Sequence, residues 1–441
     1  MKWSLIVLAL LAPQAAAKQQ QVRFAAVVLD HPCPEPKANF GHATCVLDMD
    51  GTGALDVAVG AYGQGKTFVL HDVSMAGVGG RIRPLSATGP IACDGVAGSD
   101  KFGYDVAAGN LDGDPQDELV VGAPSAVVGP VEQAGMVFIF RHVGDTDPVI
   151  LRELNPQPSY FGDSVTVGDF NGDGLGDVAV AAPKYEVAGV AAGAVHVFFG
   201  PFDTFPPSLV IENPQPVLHG NFGNHLAVGD INLDGIDDLV VGAIGNSNQA
   251  GIPVAGQVYV YPGPIDLTNR LLIEDPVPDA NDLPAPRFAM HVDAREDWVI
   301  IGANRKDWLG VHDAGMGFSA RGPTLGPVTL HPHPITGASD YMGFRCAVAD
   351  VVGDSALDLT FVVMGQMKQL VTWDGNAPQG PPVLLRNTLP KTADHFANGL
   401  VAAQVVPGGR DELVVGDGTY DAPGATNNQD NTGRVVIYAY D

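Results

Sequence analysis

The chain of 441 residues carries 23 Lys and Arg against 50 Asp and Glu, which gives a formal net charge of −27 at pH 7. Such an excess of carboxylates repels polyanions, so neither nucleic acid nor an anionic membrane surface is expected as a partner. After the N-terminus there is no run of about 18 apolar residues, so the sequence predicts no membrane span.

The first 17 residues have the pattern of a secretory signal peptide. Lys2 is the charged start, residues 5–11 form the apolar centre, and residues 15–17 are a small-residue cleavage site. The sequence therefore predicts a secreted protein, which in a bacterium would be extracellular, periplasmic or on the cell surface. Residues 18–441 are predicted to form a single domain, because one repeat continues through them without a break.

A single motif recurs seven times along the mature chain. Each copy has a Phe-Gly landmark or an altered form of it, an Asp-rich stretch, and an apolar strand that ends in small residues. The landmarks lie at Phe40, Phe102, Phe161 and Phe222, and in altered form at Phe288, Met342 and Phe396. Four short β-branched runs per copy, separated by Gly, Pro and Asn, are typical of a four-stranded antiparallel sheet. Seven such sheets predict an all-β, seven-bladed β-propeller.

The two ends of the chain predict how the ring closes. The last copy stops after its third strand, at residues 434–440, while the mature chain begins with an unassigned apolar run at residues 22–29. We expect that N-terminal run to be the fourth strand of the last blade. Closure in this way removes the exposed sheet edges that an open ring would have.

Phe-Gly, an Asp-rich loop and Gly-Ala-Pro, repeated seven times, resemble the FG-GAP repeats of the integrin α-subunit N-terminal propeller. The resemblance covers nearly all of the mature chain and is most specific in copies 1 to 4. It implies a non-catalytic binding or adhesion module for an extracellular protein or glycan. In the family, ligands use the face opposite the calcium loops, and the long polar connections at residues 244–255, 274–286 and 417–432 fall on that face.

The Asp-rich loops have the residue types and spacing of a calcium site. Ca²⁺ takes six to eight oxygen ligands, and a tight loop can aim alternate side chains at one point. We expect side-chain ligands at loop positions 1, 3, 5 and 9, and a backbone carbonyl at position 7. The predicted side-chain ligands are Asp48, Asp50, Thr52 and Asp56 in copy 1; Asn110, Asp112, Asp114 and Glu118 in copy 2; Asp169, Asn171, Asp173 and Asp177 in copy 3; and Asp230, Asn232, Asp234 and Asp238 in copy 4. The predicted carbonyl ligands are those of Ala54, Gln116, Leu175 and Ile236.

Two to four structural Ca²⁺ ions are therefore predicted, in copies 1 to 4. Copy 6 keeps Asp350, Asp354 and Asp358, but Val352 removes one ligand; copies 5 and 7 have lost the ligand pattern. The alternative is that each loop is an Asp, Asn and Gly turn that needs no metal, because these residues favour turns by themselves.

The sequence contains no established catalytic motif, so a non-catalytic module is favoured over an enzyme. The alternative is a secreted hydrolase or lyase that acts on a polysaccharide or phosphoester, with its site on the propeller face or in the central channel. A cluster of His, Tyr, Arg and carboxylate in the channel would favour that alternative. His42, His225 and His291 follow the landmark at similar distances, which we attribute to the repeat.

Four cysteines in an exported chain can be oxidised. Cys33 and Cys93 occupy similar places before the first and second landmarks, so we expect these two to form a disulfide. Cys45 and Cys346 lie within predicted strands, where buried free thiols are expected.

Overall fold

The structure, a computed structural model, describes residues 24–33, 37–74, 77–78, 82–86, 89–90, 100–142, 144–202, 208–249, 251–278, 287–308, 310–334, 340–351, 355–364, 368–386, 397–404, 410–418 and 432–440. In these residues all regular structure is β-sheet, arranged as seven antiparallel blades around a ring. The predicted all-β, seven-bladed propeller is thus confirmed. The predicted signal peptide lies outside the described residues and stays a prediction.

The N-terminal strand closes the ring. β1 (Phe24–Asp30) pairs antiparallel with the last strand of the chain (Arg434–Tyr440), with Phe24 opposite Tyr440 and Leu29 opposite Val435. The last blade therefore takes three strands from the C-terminus and one from the N-terminus, as expected from the ends of the sequence.

Blades 1 to 3 follow in chain order, and each begins with the strand nearest the centre of the ring. Blade 1 contains β2 (Thr44–Leu47), β3 (Asp56–Ala61), β4 (Lys66–Leu70), the small hairpin β5 (Val73–Ser74) and β6 (Gly77–Val78), and then β7 (Ile82–Ser86) and β8 (Gly89–Pro90). Blade 2 contains β9 (Val106–Gly109), β10 (Glu118–Ala123), β11 (Met136–Phe140) and β12 (Val149–Leu151). Blade 3 contains β13 (Val165–Gly168), β14 (Asp177–Ala182), the hairpin β15 (Glu186–Val187) and β16 (Val190–Ala191), and then β17 (Ala194–Phe198) and β18 (Ser208–Glu212).

Blades 4 to 7 repeat the same four-stranded order. Blade 4 contains β19 (Phe222–Gly229), β20 (Asp238–Ala243), β21 (Gln257–Tyr261) and β22 (Leu271–Glu274); blade 5 contains β23 (Phe288–Arg295), β24 (Trp298–Ala303), β25 (Met316–Arg321) and β26 (Thr329–Pro332). Blade 6 contains β27 (Cys346–Ala349), β28 (Asp358–Val363), β29 (Gln369–Trp373) and β30 (Val383–Arg386); blade 7 contains β31 (Gly399–Ala403), β32 (Glu412–Asp417) and β33 (Arg434–Tyr440), together with β1.

The hydrophobic core is divided among the seven interfaces between neighbouring blades. Within the described residues there is one buried cluster at each interface, including the interface between blades 7 and 1. The described landmark side chains belong to these clusters; Phe102 and Phe161, for example, are fully buried. Burial of an aromatic ring of this size contributes about 2–3 kcal/mol. The landmark is therefore a packing residue that attaches each blade to the one before it.

The glycine after the landmark allows the two blades to approach closely. Gly103 has φ +84°, and a Cβ at this position would lie 2.4 Å from the carbonyl oxygen of Lys66 in blade 1. A side chain here would meet backbone that cannot yield, so glycine is a steric requirement at position 103.

The cysteines divide as the sequence indicated. Cys33 is disulfide-bonded, whereas Cys45 and Cys346 are buried free thiols. The predicted partner of Cys33, Cys93, lies outside the described residues.

Candidate metal centres

The Asp-rich loops join the first strand of a blade to its second strand. In blades 1 to 4 the residue at loop position 9 is the first residue of the second strand, and it is fully buried: Asp56, Glu118, Asp177 and Asp238. The other predicted side-chain ligands are partly or largely exposed. Each loop thus places one carboxylate under the protein surface, where an unpaired negative charge is costly.

Loop 3 (residues 169–177) shows how the alternating side chains turn inward. The carboxylate of Asp169 accepts hydrogen bonds from the backbone N–H groups of Asp173 (3.1 Å) and Gly174 (2.8 Å). Asn171 Oδ1 accepts the N–H of Asp173 (2.8 Å), and Asp173 Oδ1 accepts the N–H of Leu175 (2.9 Å). Loop 4 (residues 230–238) repeats these bonds with Asp230, Asn232, Asp234, Gly235 and Ile236. These are the side-chain-to-backbone bonds that Asp and Asn make in turns, so they define the shape of the loops, and ion binding by these residues stays a prediction.

The interior of loops 3 and 4 is rich in hydrogen-bond acceptors. In loop 3 the amide nitrogen of Asn171 lies 3.1 Å from Asp173 Oδ2 and 3.3 Å from Asp177 Oδ1. In loop 4 the amide nitrogen of Asn232 lies 2.9 Å from Asp234 Oδ2. A partially positive NH₂ group thus occupies the space between carboxylates, which is the electrostatic environment that a cation also requires.

Loops 1 (residues 48–56) and 2 (residues 110–118) hold the tightest groups of ligand atoms. Within the described part of the chain, two sets of three His or carboxylate groups have ligand atoms that all lie within 4.8 Å of one another: Asp50, Asp56 and His71, and Asp112, Asp114 and Glu118. In loop 2, Glu118 Oε1 is buried without a hydrogen-bond partner. Burial, together with Asp112 and Asp114, raises the pKa of Glu118 to about 7. An oxygen-rich set with an unpartnered buried carboxylate oxygen fits a hard divalent cation such as Ca²⁺.

Burial has the same effect on the closing carboxylates of loops 3 and 4. It raises the pKa of Asp177 to about 7 and that of Asp238 to about 6, although backbone N–H groups of Gly200 and Gly263 donate to these carboxylates and oppose the shift. A bound cation would favour the ionised form of each carboxylate.

His71 in loop 1 was missed by the sequence analysis. Its Nδ1 lies 2.8 Å from Asp56 Oδ2 and 3.8 Å from Asp50 Oδ2, and the N–H of the next residue, Asp72, donates to Asp56 Oδ1 (3.0 Å). His71 follows the third strand of the blade, so it is 15 residues from Asp56 in sequence. The equivalent positions in blades 3 and 4 gave no signal for His71, because the glycines that contact the closing carboxylates there, Gly200 and Gly263, correspond to Asp72.

Neighbouring loops are linked to each other around the ring. The carboxylate of Asp117 in loop 2 accepts the N–H of Asp48 in loop 1 (2.8 Å), and Asp237 in loop 4 accepts the N–H of Asp169 in loop 3 (2.9 Å). Between loops 2 and 3 the link is a backbone bond from Gly176 N to the carbonyl of Asn110 (2.8 Å). Loops 1 to 4 therefore form one continuous hydrogen-bonded series on one end of the propeller.

The series is interrupted in blade 5. There a two-residue turn, Glu296 and Asp297, joins β23 to β24, in agreement with the lost loop in the sequence. In blade 6, Asp350 and the buried Asp358 occupy loop positions 1 and 9, while Val352 and Asp354 lie outside the described residues. In blade 7, residues 405–409 also lie outside the described part of the chain.

Histidines that follow the landmark meet at the inner strands. The rings of His225 and His291 have centroids 3.6 Å apart, and His291 Nδ1 lies 3.3 Å from Cys346 Sγ. Burial lowers the pKa of His225 to about 3 and raises the pKa of Cys346 well above its usual value. The thiol is therefore protonated, and the arrangement does not produce the thiolate that a nucleophilic cysteine needs.

Aromatic, basic and acidic groups also approach this inner region. The rings of His42, Tyr62 and Tyr104 pack against one another with centroids 4.5 to 5.3 Å apart. Asp105 accepts backbone hydrogen bonds from Val106 (3.0 Å) and Val165 (2.9 Å), so its carboxylate joins blades 2 and 3. The guanidinium of Arg345 interacts electrostatically with Asp105 and Tyr104, so His, Tyr, Arg and carboxylate groups meet in this region.

One of the three long polar connections is largely described, at residues 244–255. Two of its amides are buried: Asn246 bonds to Asn213, Gln257 and Tyr259, and Asn248 accepts the N–H of Ile252. These two side chains maintain the shape of the connection and are not presented to a ligand. Residues 279–286 and 419–431 of the other two connections lie outside the described residues.

A known protein family and several curated relatives are similar to parts of this chain. The FG-GAP repeat model matches residues 102–140, 161–198 and 222–261. Human integrin alpha-8 is 34% identical over 180 residues, which are 38% of this chain and 15% of that protein. Mouse integrin alpha-IIb is 35% identical over 186 residues (40% and 16%), and human integrin alpha-IIb is 37% identical over 176 residues (37% and 15%). The chain thus matches only a small part of the length of these relatives. The chain thus contains three segments that match the FG-GAP repeat model and, together with its seven-bladed ring, resembles the N-terminal β-propeller of integrin α subunits.

Proposed function

We propose that the protein is a secreted, calcium-binding β-propeller that acts as a non-catalytic extracellular binding or adhesion module for a protein or glycan ligand. The observation that carries the proposal is the series of four linked, oxygen-rich loops, each with a buried closing carboxylate, in a propeller that resembles integrin α subunits.

Two to four Ca²⁺ ions would have a structural role. The carboxylates and amides at positions 1, 3, 5 and 9 would hold each ion. The positive charge of the ion would compensate the negative charge of the buried carboxylate. Because the ion binds the folded loop, free Ca²⁺ should raise the stability of the protein. Titration of the EDTA-treated protein with Ca²⁺ in a calorimeter, with parallel melting curves, tests this. An unchanged melting temperature and no heat of binding would remove calcium from the proposal.

A location outside the cell is supported by the signal-like N-terminus and by the disulfide-bonded Cys33, because disulfides persist in oxidising compartments. Among the described residues no helix is long and apolar enough to cross a membrane. Mass spectrometry of the culture medium of expressing cells would identify the secreted, cleaved chain and its N-terminal residue.

The non-catalytic assignment is supported by the integrin α relatives and by the chemistry of the inner strands. The His291–Cys346 contact holds a protonated thiol, and Asp105 is committed to backbone hydrogen bonds. The alternative is an enzyme that acts on a polysaccharide or phosphoester, and the convergence of His, Tyr and carboxylate groups near the inner strands favours it. An array of glycans and extracellular-matrix proteins, probed with and without EDTA, distinguishes the two. A binding module retains its ligand unchanged, whereas an enzyme releases cleaved product.

A further inference from the structure

The lost loop of blade 5 leaves a cleft on the calcium-loop end of the propeller. The cleft has a volume of about 380 Å³ and lies between the blade 5 turn and the described residues of the first-to-second-strand connections of blades 6 and 7. In blades 1 to 4 a nine-residue loop joins the corresponding strands, and neighbouring loops contact one another. The two-residue turn at Glu296 and Asp297 is too short to do so, which exposes a row of side chains on blade 5.

That row contains two arginines on either side of a tryptophan. Arg295 on β23 is directly opposite Trp298 on β24, and Trp298 is directly opposite Arg321 on β25. Directly opposed residues of antiparallel strands project from the same face of the sheet, so all three side chains face the cleft together. Trp298 is buried, and the guanidinium of Arg321 lies 4.8 Å from its ring centroid.

Both guanidinium groups are held in place and still have donors available. Arg295 donates to the buried carboxylate of Asp411, and Arg321 Nε donates to Asp297 Oδ2 at 2.8 Å. The two arginine side chains remain 42% and 56% exposed, respectively. A guanidinium has five N–H donors, and the others have no protein partner among the described residues. Fixed, unsatisfied N–H groups of this kind match the oxygens of a carboxylate, sulfate or phosphate.

The rest of the lining is mixed. It includes the amides and hydroxyl of Asn376, Gln404 and Ser355, the carboxylates of Asp350 and Asp411, and the small or apolar Ala356, Leu357 and Gly375. Amide and hydroxyl groups around a fixed pair of arginines suit a hydroxyl-rich ligand that carries one acidic group. The volume is at the lower end of the range for small-ligand sites and would accept one or two sugar rings. Glu296, which is exposed, and Asp350 are negative charges that an acidic ligand must tolerate, whereas the carboxylate of Asp411 is paired with Arg295.

We propose that this cleft binds an acidic saccharide, with its carboxylate or sulfate group on Arg295 and Arg321 and its hydroxyl groups on Asn376 and Gln404. The cleft is on the calcium-loop end, opposite the face that the resemblance assigns to ligands of the module. A failure of one proposal therefore leaves the other intact.

The test is calorimetric titration of the mature, Ca²⁺-loaded protein with three probes: digalacturonic acid, a sulfated heparin-type disaccharide, and neutral lactose. We expect an acidic probe to bind saturably and lactose to bind at least tenfold more weakly. The stronger of the two acidic probes identifies the acidic group. Arg321→Gln should weaken acidic binding about tenfold, since a charge-assisted pair of hydrogen bonds is lost. Arg270→Gln is the matched control, because Arg270 is an exposed arginine on blade 4, away from the cleft.

A second variant keeps the proposal testable if Arg321→Gln unfolds. Glu296→Gln removes the opposing charge from an exposed turn and should tighten acidic binding about threefold, with no effect on lactose. The proposal is wrong if neither acidic probe binds the wild-type protein, or if lactose binds as tightly as the acidic probes. It is also wrong if Arg321→Gln and Arg270→Gln weaken binding equally, or if Glu296→Gln leaves acidic binding unchanged.

Discussion

Replacement of Glu118 by Gln provides a direct test of the electrostatics of a calcium loop. Glu118 is the closing carboxylate of loop 2; it is 1% exposed, and its Oε1 has no hydrogen-bond partner. Burial raises its pKa from 4.5 to about 7. Because the folded pKa is above the unfolded value, the stability associated with the protonated group is present below pH 4.5 and is lost as the pH rises through 7.

The size of this loss follows from the shift. At 1.36 kcal/mol per pKa unit the shift corresponds to an upper value of roughly 3 kcal/mol, and relaxation of the surface loop reduces this to about 1–2 kcal/mol. Glu118→Gln has no charge to bury. In EDTA at pH 8 it should therefore be more stable than the wild type by about 1–2 kcal/mol, and at pH 5 the difference should be smaller. In excess Ca²⁺ the order should reverse, because the variant has lost a ligand that the ion needs.

Urea unfolding followed by circular dichroism, at pH 5 and pH 8 and with EDTA or Ca²⁺, measures all four conditions. Glu153→Gln is a matched control. Glu153 is also buried, with a pKa raised to about 7 by burial, but it lies outside the loops, where its Oε2 accepts the N–H of Gln157. It should show the same pH effect and no change in the response to Ca²⁺. If Glu118→Gln is less stable than the wild type in EDTA at pH 8, or responds to Ca²⁺ as the wild type does, the reasoning is wrong.

Three further predictions concern the ring and its buried groups. Deletion of residues 18–30 removes β1 and exposes the edge of β33, so cooperative unfolding should be lost; a truncated chain with the melting curve of the full-length protein would contradict the closure. Asp237→Ala removes the acceptor for the N–H of Asp169. It should lower the free energy of unfolding by about 1–3 kcal/mol, measured by denaturation, and weaken Ca²⁺ binding in loop 3, measured by calorimetry. A loss of stability with unchanged Ca²⁺ binding would show that this hydrogen bond does not support the ion site. Burial lowers the pKa of His196 to about 4, so the stability that the neutral ring provides is lost as the pH falls below 6.5. His196→Phe places the residue that blade 2 has at the same position, Phe138, and should reduce the loss of unfolding free energy between pH 7 and 5. An equal loss in the variant and the wild type would refute this.

The candidate site was predicted unevenly by the sequence. Loops 3 and 4 match the ligand pattern most fully, yet the tightest carboxylate groups occur in loops 1 and 2. Position 3 is a carboxylate in loops 1 and 2 (Asp50 and Asp112), whereas in loops 3 and 4 it is an amide (Asn171 and Asn232) that donates to the carboxylate at position 5. Which atom of an amide faces the loop interior depends on the folded backbone N–H groups, and a ligand pattern does not specify it.

What the sequence by itself determined is local and repetitive. Strand pattern, the Phe-Gly landmark, the loop spacing and the complementary ends of the chain all involve residues near one another or repeated in each copy, so seven blades and the closing strand followed from them. Contacts between copies were decided by the tertiary structure alone. Asp117 reaches Asp48 across 69 positions, and Arg295 reaches Asp411 across 116. The shortened blade 5 turn is visible in the sequence, but the cleft beside it exists because three strands align Arg295, Trp298 and Arg321 in one row. Strand propensity acts over a few residues, whereas the register between strands and the packing between blades depend on the whole closed ring.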